Sequence, residues 1–374
     1  MSEGTVRTPR ILVIHRRYAG DLILLEPFLR NLRSAHPDAW LVLVADPGYA
    51  DVLRGCDSID AIAELPRGFD FGAWRRFLAE IATEPFDLAF DLTRNERSAL
   101  ALVLSRSRRR VSYDVEGDIA VRRRRSMDAW RRRLVTTDVL RVTRTEQKSM
   151  HIVDWHNRLL ERVGIPAPHT VPGLSIDMKD RRRASALLER ELGATPGRRV
   201  LVHVGARKEA KRWPTARFAA LADGLDEELG CLPVLVAGPG EERVLRSVVQ
   251  ARARSGGAVL ETAPDLALLY GLAAECDLYV GNDSAPAHMA AAVGTPACVL
   301  FCDASPVVWR TRGSRDRCLQ APLPCGDACV RPGVCAPGAD RYCVRRIGVE
   351  EVMRAVGAML AEKRASPVAA NRTD

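Results

Sequence analysis

Short runs of aliphatic and β-branched residues recur along the whole chain, each followed by a stretch with helical periodicity. In the first half the runs are ILVIH (11–15), WLVLVAD (40–46), AIAEL (61–65) and LAFDL (88–92), with a further strand expected near 109–114. In the second half they are RVLVHVG (199–205), LPVLVAG (232–238), AVLE (258–261), LYVGND (278–283) and ACVLFCD (297–303). These runs are mostly apolar at successive positions, not alternating, so the strands are buried on both faces. Such strands belong to parallel sheets covered by helices. After the first run, Leu22, Leu25, Phe28, Leu29 and Leu32 recur near 3.6 spacing, and the helix is expected to stop near His36 and Pro37. Further helices are expected near 49–55, 72–83, 151–163, 215–229, 241–254, 265–275, 286–293 and 349–363. The class is therefore α/β, with two doubly wound Rossmann-like domains. The proline-rich stretch IPAPHTVPGLSI (165–176) reads as the linker between them. The domains are expected at 1–172 and 173–348, with a Cys-rich segment at 325–343, followed by a final helix and flexible tail at 349–374. Ligands are expected in a cleft at the carboxyl ends of the strands.

Composition narrows the function. Of 374 residues 47% are hydrophobic and 28% charged, which fits a globular chain and not a disordered one. No run of about 18 uncharged apolar residues is present, so no spanning helix is expected. The segment MSEGTVRTPR meets ILVI without the pattern of a secretory signal, so a cytoplasmic location is expected. The net charge is +9, from five lysines and 51 arginines against 47 acids. An anionic partner is one reading of that excess, and the codon bias of a GC-rich genome is the other. The arginines cluster at RSRRR (106–110) and RRRRSMDAWRRR (122–133). Nucleic acid is not expected as the partner, because aromatics are only 5% and no recognition module is visible. Among ten cysteines, Cys231, Cys276 and Cys298 sit in apolar runs, as small hydrophobes do. Cys325, Cys329, Cys335 and Cys343 crowd together; in a reducing compartment that suggests a metal site more than disulfides.

Four segments carry candidate chemistry. In VGNDSAPAHMAAAVGTP (280–296) a strand ends and Asn282, Asp283 and Ser284 lead into a helix with Pro286 in its first turn. Such a helix start binds phosphate well; equally, Asp283 could only cap the helix and His288 only pack. The loop after Gly205 carries Arg207, Lys208, Lys211 and Arg212, cations suited to a leaving diphosphate or simply to solvent. In AGPGEERVL (237–245), Gly238 and Gly240 permit close approach of backbone to ligand. With Glu261 they partly imitate a dinucleotide fingerprint, but Arg243 stands where the third glycine belongs. In HRRYAGDLILLEP (15–27), Gly20 and Asp21 fall between strand and helix, where a carboxylate serves as general base or as a cap.

Together and in this order, the segments resemble the bacterial heptosyltransferases, glycosyltransferase family nine. The resemblance also takes in FDLAFDLTRNERSALALVLSRSRRRVSY (86–113), MHIVDWHNRLLERVGIP (150–166) and the Lys211-Arg212-Trp213-Pro214 loop, and covers most of residues 10–360. It implies a GT-B fold, an ADP-heptose donor held mainly by the second domain, and an acceptor held by the first. It implies inverting transfer that needs no cofactor. By the same resemblance Asp21 is the catalytic aspartate, with Gly20 beside it, and Lys211 is the donor-phosphate lysine, with Arg212 beside it. Asn282, Asp283, Ser284, Ala285 and His288 form the donor loop. Glu241 or Glu242, after Gly238, is the acid that holds the ribose. The chain departs from the family pattern at Arg17-Tyr18-Ala19, at Glu26 and at Ala285. The expected acceptor is an anionic glycolipid of the lipopolysaccharide inner core, reached at the inner face of an anionic membrane. A protein or natural-product acceptor is the alternative, and outside the class an NAD-dependent oxidoreductase. The four cysteines at 325, 329, 335 and 343 resemble a feature of the family too. A structural zinc or iron is one outcome there; free thiols or a partial disulfide are the others.

Overall fold

A computed structural model of the chain describes residues 8–16, 18–116, 135–193, 195–254, 256–302, 304–321 and 343–362. It falls into two units. The first holds Met1–Ser175 with Val307–Arg312, and the second Ile176–Pro306 with Gly313–Asp374. The first unit runs β1 (Arg10–Ile14), α1 (Ala19–Ile23), α2 (Glu26–Ala35), β2 (Trp40–Ala45), β3 (Ala61–Glu64), α3 (Phe71–Ile81), β4 (Leu88–Asp91), α4 (Glu96–Leu104), β5 (Arg109–Glu116), β6 (Asp138–Thr143), α5 (Arg144–Ser149) and α6 (Ile152–Glu161). The second runs α7 (Met178–Leu192), β7 (Arg198–His203), α8 (Thr215–Glu227), β8 (Cys231–Val236), α9 (Glu242–Ala251), β9 (Ala258–Val259), α10 (Leu266–Glu275), β10 (Leu278–Asn282), α11 (Ala285–Ala292), β11 (Ala297–Phe301), a short α12 (Pro306–Trp309) that crosses back to the first unit, β12 (Arg317–Gln320) and α13 (Val349–Ala361).

Each unit contains a six-stranded parallel sheet, ordered β3-β2-β1-β4-β5-β6 in the first and β12-β11-β10-β7-β8-β9 in the second. Winding reverses between β1 and β4, and between β7 and β10. At those two points neighbouring loops leave the sheet in opposite directions and open a crevice at the carboxyl ends. The central strands are buried on both sides, with Leu12, Val13 and Ile14 in β1 and Val200, Leu201 and Val202 in β7 all inaccessible. Helix starts are set by short polar caps: Asp70 accepts from Ala73 N–H (2.9 Å), Asn95 from Ser98 N–H (2.9 Å) and Asp265 from Leu268 N–H (2.8 Å). No helix among the described residues is long and apolar enough to cross a membrane.

The structure differs from the sequence expectation in places. Val307–Arg312 patterns with the second domain but groups with the first unit, where Arg310 C=O meets His151 Nε2 (2.8 Å) and Arg312 pairs with Asp154 (2.6 Å). Helix α13 is not an appendage: Val352, Val356 and Met359 are buried in the second unit's core. Residues 50–53 form a single 3-10 turn, and β9 stops at Val259, short of Glu261. Residues 363–374 lie outside the described set.

The carboxyl ends in the first unit are pinned by a buried charge network. Arg16, just past β1, pairs with Asp46 past β2 (2.8 and 3.1 Å) and donates to Asn95 past β4 (2.9 Å). At the start of α2, buried Glu26 accepts from Gly173 N–H (2.8 Å) and pairs with Arg30 (3.2 Å), which also donates to Val171 C=O (2.6 Å). Burial pushes the Glu26 carboxyl up to about 7, against the opposing pull of the Gly173 N–H and Arg30. The folded state therefore holds this proton where the unfolded chain has released it. Stability from this group is full below the ordinary carboxyl range and declines as pH rises toward 7. Chemical denaturation of Glu26→Gln and parent at pH 5 and pH 8 checks this. The variant is expected to lose less stability between the two values than the parent does, and equal losses contradict the assignment.

Candidate functional site

In the second unit the carboxyl ends of β7, β8 and β10 bring distant segments together. Past β7, the chain makes a 3-10 turn at Glu209–Lys211 and is locked by Trp213, whose ring is buried and whose indole N–H donates to Ile347 C=O (2.9 Å). The buried amide of Asn282 fastens this loop to β10. Its oxygen accepts from Trp213 N–H (2.9 Å), and its nitrogen donates to the Val204 and Gly205 carbonyls (3.2 and 3.0 Å). Asn282 thus shapes the site with its side chain inside the protein. The result is an ion pair between the Lys211 ammonium and the nearly buried Asp283 carboxylate. Lysine carries three donor hydrogens, so the pair orients the ammonium and leaves others for a ligand.

Asp283 lies two residues before α11, next to the cap residue Ser284. The Ser284 hydroxyl donates to Asn282 C=O (3.2 Å) and makes no cap to the helix. The first-turn N–H groups beyond it, at Ala285 and after Pro286, form the positive end of the helix dipole. His288, one turn on, is buried, and its Nδ1 has no protein partner. Burial lowers its pKa to about 4, with Asp283 opposing and the Lys211 charge assisting, so the ring is neutral.

The two candidate acids near β8 have different surroundings. Glu241 is buried, accepts from Gly238 N–H (3.0 Å) and lies 3.6 Å from Arg212, which is itself held by Ala206 C=O (2.7 Å). Its carboxylate rests against the backbone at Gly205 and Gly238. A Cβ at Gly205 would collide with it. Glu242 is half-exposed and accepts from the Gly240 N–H in its own turn (3.1 Å). Beside Gly238 sits His203, which sequence patterning hides inside an apolar strand. It is buried, both its ring nitrogens lack protein partners, and burial holds its pKa down to about 4.

In the first unit Asp21 sits in the short helix α1 directly beyond β1, half-buried, with Oδ2 accepting from Tyr18 N–H (3.2 Å). Gly20 precedes it in the first turn. Under this loop lie His15, buried at the end of β1, and His156, edge to face at 5.4 Å. Cys325, Cys329 and Cys335 are outside the described residues, as is the side chain of Cys343. Among the described residues no group of three or more His, Cys, Asp or Glu is set to hold a metal. The arginine cluster at 122–133 also lies outside.

The family model for glycosyltransferase family 9 (heptosyltransferase) matches residues 74–335. The chain belongs to glycosyltransferase family 9. It is thus a glycosyltransferase, and its pair of Rossmann-like units is the GT-B fold. Lipopolysaccharide heptosyltransferase 3 of Escherichia coli K12 is 26% identical over 308 residues, covering 79% of this chain and 83% of the relative. The glycosyl transferase family 9 structure from Veillonella parvula superposes with a TM-score of 0.77 at 22% identity, over 94% and 97% of the two chains. E. coli ADP-heptose lps heptosyltransferase II superposes with a TM-score of 0.71 at 20% identity, over 94% and 98%. These likenesses show that this glycosyltransferase shares its fold with both structures.

Proposed function

We propose that this glycosyltransferase moves a heptose from ADP-heptose to an inner-core acceptor of lipopolysaccharide, with inversion. The observation that carries the reading is the Lys211–Asp283 pair at the open start of α11, in a chain of the heptosyltransferase family. Lys211 and Arg212 face the diphosphate, the α11 amides and neutral His288 bind its oxygens, and Glu241 holds the ribose hydroxyls. Asp21 accepts the acceptor hydroxyl proton as that oxygen bonds the anomeric carbon. The bond from that carbon to the β-phosphate oxygen breaks, and ADP leaves with the electron pair. The reaction as written needs no cofactor. The names of the relatives support the donor and the acceptor. We place the enzyme in the cytoplasm, working at the inner membrane face. A structural zinc or iron at the four cysteines would show as about one metal per purified chain.

The direct test offers ADP-heptose with lipopolysaccharide core acceptors and reads the products by mass spectrometry. One added heptose per acceptor, with equal ADP, is expected. Transfer only to a protein or a small aglycone overturns the acceptor, and no ADP release with any acceptor overturns the donor. A second test addresses Glu241. Gly205→Ala forces the carboxylate out of its slot while the far end of a flexible side chain moves aside, so the fold survives. Losing a charge-assisted hydrogen bond costs about 1.5–3 kcal/mol, so ADP affinity should drop about tenfold to a hundredfold. Glu241→Ala should match it, and the double variant should be no worse than either single. Additive losses by calorimetry would separate the two residues.

A further inference from the structure

The segment from Pro66 to Leu78 in the first unit contains the most exposed aromatic side chains of the described residues. Phe69 is 108% and Phe71 86% accessible, and Leu78 is exposed two turns further along α3. The backbone that presents them is firmly held. Arg97 donates to the Leu65 and Pro66 carbonyls, Arg67 to Pro47 C=O (3.3 Å), and the Trp74 indole N–H to Gly68 C=O (2.9 Å). Asp70 is committed to capping α3, and Trp74 packs edge-on against the buried Phe77 (5.7 Å). An anchored loop that aims two phenyl rings into water needs a reason beyond its own packing.

The charges beside the rings indicate what covers them. Arg67, Arg75 and Arg76 are exposed, and Asp70 is the one acid between Pro66 and Ala79. This loop follows β3, so it leaves the same edge of the sheet as the loop with Asp21 past β1. We propose that Phe69 and Phe71, flanked by Arg67, Arg75 and Arg76, seat this unit on an anionic lipid bilayer. Aromatic rings settle at headgroup depth and arginines bind the surrounding lipid phosphates; each signal alone holds weakly, and the two together hold. A second copy of the chain is the poorer occupant, because two such patches repel each other. The inference rests on the proposed lipid-anchored acceptor only for its purpose. The contact itself is read without any acceptor.

The test is co-sedimentation of the full chain with phosphatidylglycerol/phosphatidylcholine vesicles and with phosphatidylcholine alone. The parent is expected to bind the anionic vesicles and not the neutral ones. Phe69→Ser/Phe71→Ser should weaken that binding by about tenfold or more. Arg75→Ser/Arg76→Ser should weaken it and flatten its salt dependence. Both variants should keep the parent's circular dichroism and its turnover on a delipidated core oligosaccharide. Parent-like sedimentation of the phenylalanine variant overturns the proposal, as does a parent that ignores anionic vesicles. A parent dimer that this variant dissolves in analytical ultracentrifugation overturns it too, making the patch an interface between copies. Phenylalanine-dependent vesicle binding without transfer to any core acceptor supports this surface and overturns only the acceptor reading.

Discussion

Asp21→Asn is expected to lower turnover by about 10²–10⁴ while leaving ADP affinity unchanged. Asparagine keeps the shape of the side chain, and its amide oxygen still accepts the Tyr18 N–H that now meets Oδ2 at 3.2 Å. Helix α1 and the loop around it therefore persist. What disappears is the capacity to take a proton, and a proposed base is defined by that capacity. Steady-state kinetics at saturating acceptor, with calorimetry of ADP on the same preparation, read the two quantities separately. A variant that turns over like its parent removes Asp21 from the chemistry. One that loses ADP binding as well points to a collapsed loop.

Lys211→Ala is expected to weaken ADP binding by about tenfold to a hundredfold, the effect of losing one charge-assisted contact to the diphosphate. Turnover should fall further, since negative charge grows on the β-phosphate as the sugar departs. The same change leaves the nearly buried Asp283 carboxylate without its counter-charge. Buried pairs broken on one side lose about 3–5 kcal/mol, and the partial exposure of Lys211 reduces this to about 1–3 kcal/mol. The two effects separate in Lys211→Ala/Asp283→Asn. Melting temperature should recover in the double variant, and ADP affinity should not. Recovery of both would make the lysine a structural counter-ion only.

The central strands were legible because burial on both faces leaves an uninterrupted apolar run, as in Ile11–Ile14 and Leu232–Val236. Edge strands β3 and β9 still showed short apolar runs, but β6 and β12 carry no such mark. In β6 the run DVLRVT includes two charges, and in β12 the run RCLQ is four residues long, since each pairs on one side only. Helix α7 was missed too: in MKDRRRASALLEREL only Ala184, Leu188 and Leu192 are buried, a narrow stripe among charges. The Gly20-Asp21, Lys211-Arg212 and Asn282–His288 segments were visible because each comes at or within a few residues of the end of an apolar run. Glu241 and Glu242 could not be told apart from sequence. What separates them is Gly205, brought beside one of them by the pairing of β7 with β8. His203 was hidden for a related reason: a histidine at the end of an apolar run looks like strand until the structure shows both its nitrogens unpartnered.

The return of Val307–Arg312 to the first unit bears on the order in which the chain acquires its structure during synthesis. The first unit's sheet is complete in sequence by Thr143, yet the Nε2 of His151 meets a carbonyl that belongs to Arg310, and Asp154 meets a guanidinium that belongs to Arg312. A nascent chain that has emerged only through Ser175 has both side chains of α6 and its cap waiting for partners not yet translated. They arrive only after the five strands β7 to β11 and their helices have left the ribosome. The amino-terminal half therefore finishes folding only after most of the second unit has been made, and a fragment cut at residue 175 would carry this unfinished edge permanently.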